Sequence, residues 1–100
     1  MPNTAVIQYT TKPNAADDNQ RAVEKVFAEL AEKTPDGLRY ATFRLADGVT
    51  FVHIVQIAEG SDALSSLAAF KEFNDGFQDR AESGPRRQGA TIVGSYNFLS

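Results

Sequence analysis

His53 is the only histidine in this 100-residue chain, and there is no cysteine. One side chain can therefore titrate near neutral pH, while thiol nucleophiles, disulfides and thiolate metal sites are excluded. A lone imidazole also excludes a multi-histidine metal site within one subunit, so no metal is expected. The surroundings of His53 then decide what it does. Leu38–Ala46 and Val49–Ile57 read as strands joined by Asp47-Gly48, the preferred chemistry of a two-residue type I′ turn. That turn sets Thr42 opposite His53, with Tyr40 and Arg44 diagonal to it on the same face. An imidazole beside a phenol can shuttle a proton. The candidate catalytic set is accordingly His53 as base, Tyr40 as proton donor or orienter, and Arg44 as anion stabiliser. The same pattern is met without chemistry if His53 is a core histidine bonded to Thr42 or Tyr40 and Arg44 lies in solvent at the sheet end.

The candidate walls of a binding site are Thr42, Phe51, Phe70, Phe73 and Phe77. Phe70, Phe73 and Phe77 recur at helical spacing, which suits a core stripe and an aromatic pocket wall alike. Tyr9 and Tyr96 share that ambiguity. Arg80, Arg86 and Arg87 cluster beyond the same helix. They can hold a phosphate or carboxylate, but basic residues there also complement the helix dipole with no ligand bound. Gly84-Pro85 has no following glycine-lysine-serine or glycine-lysine-threonine and is a turn rather than a phosphate loop.

These residues need elements to hold them. Thr4–Thr11 is short and rich in β-branched residues, so a strand is expected. From Ala15 to Lys33, Val23, Val26, Phe27 and Leu30 form one helical stripe, with Asn14 as the expected cap and Thr34-Pro35-Asp36-Gly37 as the stop. Asp62 can begin a short helical turn, and a second helix runs to about Ala81. Ser83-Gly84-Pro85-Arg86-Arg87 breaks it, and a last strand is expected over Ala90–Leu99. The order β-α-β-β-α-β with right-handed crossovers predicts an α+β, ferredoxin-like domain with a four-stranded antiparallel sheet. Both faces of the Leu38–Ile57 hairpin are apolar: one carries Leu38, Tyr40, Thr42, Arg44, Phe51, His53, Val55 and Ile57, the other Ala41, Phe43, Leu45, Val52 and Ile54. Two helices cover one face only, so a second copy of the chain is the expected cover of the other, giving a homodimer. The mixed polar and aromatic face suits a pocket and the uniformly apolar one a dry dimer core.

Composition narrows the partners. The chain is 42% apolar, enough for one folded domain over residues 1–100. A net charge of −3 argues against nucleic acid as a partner. Apolar runs are only a few residues long, so no membrane span is expected. The start lacks a basic stretch followed by an apolar block, so a cytoplasmic protein is expected.

The chain resembles the dimeric α/β-barrel superfamily, close to the antibiotic-biosynthesis-monooxygenase-like group. The resemblance rests on the first strand ending in Lys12-Pro13, on Gly37-Leu38-Arg39-Tyr40, on Asp47-Gly48 leading into Phe51-Val52-His53, on the helix Leu67-Ala68-Ala69-Phe70-Lys71-Glu72-Phe73, and on Val93-Gly94-Ser95-Tyr96. It implies two sheets packed face to face across a homodimer, with a pocket between each sheet and its helices. It also implies a cofactor-independent monooxygenase acting on a small aromatic or enolisable molecule, His53 generating the carbanion or phenolate that meets oxygen, with no cofactor. Ala81 stands four residues after Phe77, where haem-degrading members of the superfamily have their ligating histidine, and the first strand lacks their asparagine, so haem degradation is not expected. The chain also has no tryptophan, a residue that many oxygenases of the group place in the pocket. Fold alone does not choose a function. The alternatives are a non-catalytic dimeric module that binds a small apolar or aromatic ligand, and a purely structural dimer whose helix-side space is filled by phenylalanine.

Overall fold

In the computed structural model, which describes residues 3–98, β1 (Asn3–Thr11) leads through a 3₁₀ turn (Pro13–Ala15) into α1 (Ala16–Lys33). The hairpin strands β2 (Leu38–Arg44) and β3 (Thr50–Ile57) follow, then α2 (Ala68–Asp75), α3 (Phe77–Arg80) and β4 (Ala81–Ala90). The strands form one antiparallel sheet in the order β2-β3-β1-β4. This is the ferredoxin-like arrangement expected from the element order.

The hairpin register is the expected one, with Tyr40 opposite Val55, Thr42 opposite His53 and Arg44 opposite Phe51. The turn differs. A type I′ turn needs positive φ at both Asp47 and Gly48, but only Gly48 has it, at 79°. Asp47 instead turns its carboxylate inward: Oδ1 accepts the backbone N–H groups of Val49 and Thr50, and Oδ2 accepts the Thr50 hydroxyl. Those bonds pull the Asp47 carboxyl below its ordinary range, the Thr50 hydroxyl contributing most.

The expected cap at Asn14 is not used. The 3₁₀ turn carries the chain into α1 with Ala15 as cap and no side-chain cap bond. The helix ends at Thr34, left-handed, whose N–H closes on the Leu30 carbonyl. A helical turn does begin at Asp62, whose carbonyl accepts the Ser66 N–H. The second helix is broken at Gly76 into α2 and α3. Glu29 on α1 accepts the first free N–H groups of α2, from Ala68 and Ala69, and so ties the two helices together.

The last strand is a correction. The expected strand Ala90–Leu99 is not formed: β4 spans Ala81–Ala90, and 91–98 are irregular, with Leu99 outside the described residues. Glu82, Ser83, Gly84 and Pro85 are poor strand formers, but β4 is an edge strand, where a proline can lie without breaking a ladder. Register shifts against Thr10 and Thr11 accommodate that end of the strand. The Ser83–Arg87 segment is thus part of the sheet and not a turn outside it.

Odd-numbered residues of β1 and β3 and even-numbered residues of β2 face the helices. The core consists of Tyr9, Phe51, Leu67, Phe73 and Phe77 packed with Val23 and Val26 of α1. On the opposite face Ala41, Phe43, Val52 and Ile54 are only half-buried. The segment after β4 lies along that face, where Phe98 packs on Phe43 with ring centroids 6.2 Å apart.

Candidate functional site

His53 lies on the helix-covered face and is 3% exposed. Both ring nitrogens are engaged. Nε2 is 2.8 Å from the Tyr9 hydroxyl, and Nδ1 is 2.7 Å from the Tyr40 hydroxyl and 3.0 Å from Thr42 Oγ1. The chain of bonds continues away from the pocket. Asn19 Nδ2 donates to Tyr9 Oη at 2.8 Å, and Arg80 Nε donates to Asn19 Oδ1 at 3.0 Å. Arg80 also donates to the Phe73 carbonyl and lies over the Phe73 ring. The network therefore joins β1, α1, β2, β3 and α3 through buried (Tyr9, Asn19, His53) and half-buried (Tyr40, Thr42, Arg80) polar groups that satisfy one another.

Burial governs the titration of these groups. It depresses the His53 pKa to about 4, so the imidazole is neutral at physiological pH. Burial raises Tyr40 to about 12 despite an opposing contact from Thr42. It raises Tyr9 further, against the Asn19 bond that favours its ionised form. A neutral imidazole between two protonated phenols is a weak base; its strength lies in directing the protons of its neighbours.

Beside the network is a pocket of about 250 Å³, lined chiefly by Ile7, Tyr9, Tyr40, His53, Phe73 and Arg87. Phe70 and Phe77 also line it, so the whole phenylalanine set contributes to the wall. The volume lies below the ~300–1,000 Å³ range of drug-sized ligands, which fits a small occupant. Among the described residues no three metal-ligating side chains converge.

The structure separates two of the sequence candidates from this pocket. Arg44 is not beside His53. Its guanidinium turns to the helix side of the hairpin end and bonds Asp17, Gln20 and the Gly48 carbonyl, in a separate recess with Val23, Phe27 and Phe51. Phe51 reaches the site only through Tyr9, on which it stacks at 5.7 Å. Thr42 bonds the imidazole but faces the same recess as Arg44.

Arg87 is the cation that does line the pocket. A single cross-strand row runs Thr42, His53, Ile7, Arg87. Arg87 has no carboxylate partner among the described residues. The basic cluster seen in the sequence is thus dispersed: Arg80 points inward, Arg87 lines the pocket, and Arg86 pairs with Gln8 on the other face. Asn19 is not among the residues the sequence singles out, and Arg80 is singled out only within the basic cluster, although each carries a signal for the inward role it has. Asn19 precedes Val23 by one helical turn on the buried stripe, and Arg80 follows Phe73 and Phe77 at helical spacing.

No protein-family model matches the chain, and no curated protein matches it. Solved structures do. The Mycobacterium tuberculosis protein Rv0793 superposes with a TM-score of 0.74 at 13% identity, covering 95% of this chain and 98% of that one. A structure described as an antibiotic biosynthesis monooxygenase gives 0.72 at 18% identity, covering 92% and 99%. SnoaB, a cofactor-independent oxygenase from Streptomyces nogalater, gives 0.68 at 16% identity, covering 96% and 97%. The fold is that of the antibiotic-biosynthesis-monooxygenase-like proteins. At these identities the likeness carries the monooxygenase-like fold and no residue roles. Within that fold, this chain carries the part-buried Arg80–Asn19–Tyr9–His53–Tyr40 network and the adjoining pocket. No helix of the described residues is long and apolar enough to cross a membrane.

Proposed function

We propose that the chain is a cofactor-independent oxygenase whose pocket holds a small, electron-rich aromatic molecule as its enolate or phenolate. One observation carries this reading: Tyr40, whose hydroxyl is bonded to buried His53, and Arg87, which has no carboxylate partner among the described residues, line the same largely apolar pocket. Two positive dipoles or charges over apolar walls favour a bound oxyanion over the neutral molecule. A ring CH₂ conjugated to a carbonyl through the aromatic system, as in an anthrone, is deprotonated and adds oxygen to give a hydroperoxide. Loss of water then leaves a new carbonyl, so CH₂ and O₂ become C=O and H₂O. The substrate supplies all the electrons, and its proton passes to solvent and returns in the water released. In this reading the oxyanion role assigned to Arg44 from sequence belongs to Arg87. His53 supports Tyr40 and is not the free base.

The test is oxygen uptake with an anthrone, with His53→Ala and Tyr40→Phe as controls. Uptake above the uncatalysed rate that both variants abolish supports the reading. Uptake unchanged in His53→Ala overturns the site, and absence of uptake with saturable binding favours the non-catalytic ligand module. The shielding of both imidazole nitrogens from the pocket is the observation that favours that second reading.

We also propose that a second copy of the chain covers the open sheet face. Ala41, Phe43, Val52 and Ile54 lie there half-exposed, and Val93 and Tyr96 after β4 are 99% and 88% exposed. Apolar surface of this extent is uncommon on a protein that works alone.

A further inference from the structure

We infer that Arg80 and Asn19 are positioning residues that hold His53 in its Nδ1–H tautomer and thereby direct the hydroxyl proton of Tyr40 into the pocket. The argument starts from arginine, which has donors and no acceptor. Arg80 Nε–H lies 3.0 Å from one end of the Asn19 amide, so that end must be the oxygen. A reversed amide would set one N–H against another. Arg80 is not free to move away: its Nη2 holds the Phe73 carbonyl at 2.8 Å. Its guanidinium also lies 4.9 Å from the centre of the Phe73 ring. Gly76 makes room for it, since a Cβ there would stand 2.6 Å from Arg80 Nη1.

With its oxygen taken, Asn19 presents Nδ2–H to Tyr9 Oη. Tyr9 therefore accepts from Asn19, and its own proton needs an acceptor. The partner in reach is His53 Nε2 at 2.8 Å. A ring nitrogen that accepts carries no proton, so the neutral imidazole carries its proton on Nδ1. The opposite tautomer would aim two donors at the Tyr9 oxygen and strand the Tyr9 proton among Phe51, Phe73 and Phe77.

The consequence reaches the pocket. Nδ1–H donates to the Tyr40 and Thr42 oxygens. Tyr40, accepting from the imidazole, cannot donate its own proton to His53, and that proton goes to an oxygen in the pocket it lines when one is bound and to neighbouring Thr42 when none is. The site therefore recognises an oxygen that accepts a hydrogen bond, such as a carbonyl or phenolate. The tautomer follows from the protein's own bonds and stands whether or not the pocket turns over a substrate.

His53 is the only histidine, so isotope-labelled histidine gives one pair of ring nitrogens. In a two-bond proton–nitrogen correlation at neutral pH, Nδ1 is expected to be protonated and Nε2 bare. Asn19→Asp should invert the pattern: its carboxylate accepts from both Arg80 and Tyr9, Tyr9 then accepts from His53, and the proton moves to Nε2. Arg80→Met, which keeps an apolar stem and removes the donor to Asn19 Oδ1, should turn the single tautomer into a mixture. A wild-type protein with Nε2–H or an even mixture overturns the inference. A folded Asn19→Asp protein that keeps Nδ1–H overturns the role of Asn19, and an unchanged tautomer in a folded Arg80→Met protein overturns that of Arg80. These readouts need no substrate, so their failure is separable from failure of the oxygenase reading.

Discussion

A side-chain carbon at Gly84 would stand 2.9 Å from the Cβ of Tyr9. The edge strand β4 thus passes directly over the residue that links His53 to α1. Gly84 also has φ +94°, a conformation that L side chains rarely adopt. Gly84→Ala is expected to cost about 1–3 kcal/mol through strain and crowding together. Urea denaturation reads this directly, and an unchanged midpoint would mean that β4 can shift off Tyr9.

The buried imidazole makes stability depend on pH. The His53 pKa falls from 6.5 to about 4 on folding. Between those values the unfolded chain binds more protons, so stability rises with pH across this window. The contribution is fully present above the unfolded value and is lost as pH falls through the folded one. Its size is about 3 kcal/mol, taking 1.36 kcal/mol per pKa unit. Carboxylates titrate nearby, so the comparison is with His53→Gln. The variant should show a shallower loss of stability from pH 6.5 to pH 4, and equal slopes in the two proteins would contradict it.

Arg87 is expected to select charge. Losing a charge-assisted bond costs about 1.5–3 kcal/mol, or roughly 10- to 100-fold in affinity. Arg87→Gln should weaken binding of a hydroxylated aromatic as its phenolate by that factor and leave its methyl ether nearly unaffected. Arg44→Gln should change neither, because that side chain is engaged with Asp17 and Gln20. Titration calorimetry with the two ligands separates these outcomes.

The open sheet face gives a test of assembly. A carboxylate introduced by Ile54→Asp lies on the side away from the helices, so the fold should persist while the proposed dimer dissociates. Sedimentation should show about two chains' mass for the wild type and one for the variant. A wild-type monomer would remove the dimer from the account.

Much of the frame is legible in the sequence because it rests on local chemistry. Asp47-Gly48 and the flanking alternation place Thr42 opposite His53, and the stripe through Val23 and Val26 places α1 on the sheet. The position of the last strand is not legible, because Val93, Tyr96 and Phe98 look more like a strand than Glu82-Ser83-Gly84-Pro85 does. Pairing with β1, not propensity, decides that edge. Arg44 shares a face with His53, as alternation requires, but face does not fix direction: Asp17 and Gln20 on α1 draw its long side chain away. The partners of Tyr9 were illegible for a related reason. Asn19 and Arg80 converge on it from helices whose relative placement no local pattern encodes.

Strand order also sets when the site comes into being. Tyr9 and His53 are 44 residues apart in sequence, and Asn19 and Arg80 are 61 apart. β1 lies between β3 and β4, so the first strand made is flanked by strands made later. A chain emerging from the ribosome has no relay when β3 joins, because Arg80 has yet to arrive to orient Asn19. The pocket gains Arg87 only when β4 docks. The network around His53 is therefore a property of the assembled sheet and helices, and a chain cut short before β4 would carry the histidine without Arg87 and the pocket wall that β4 supplies.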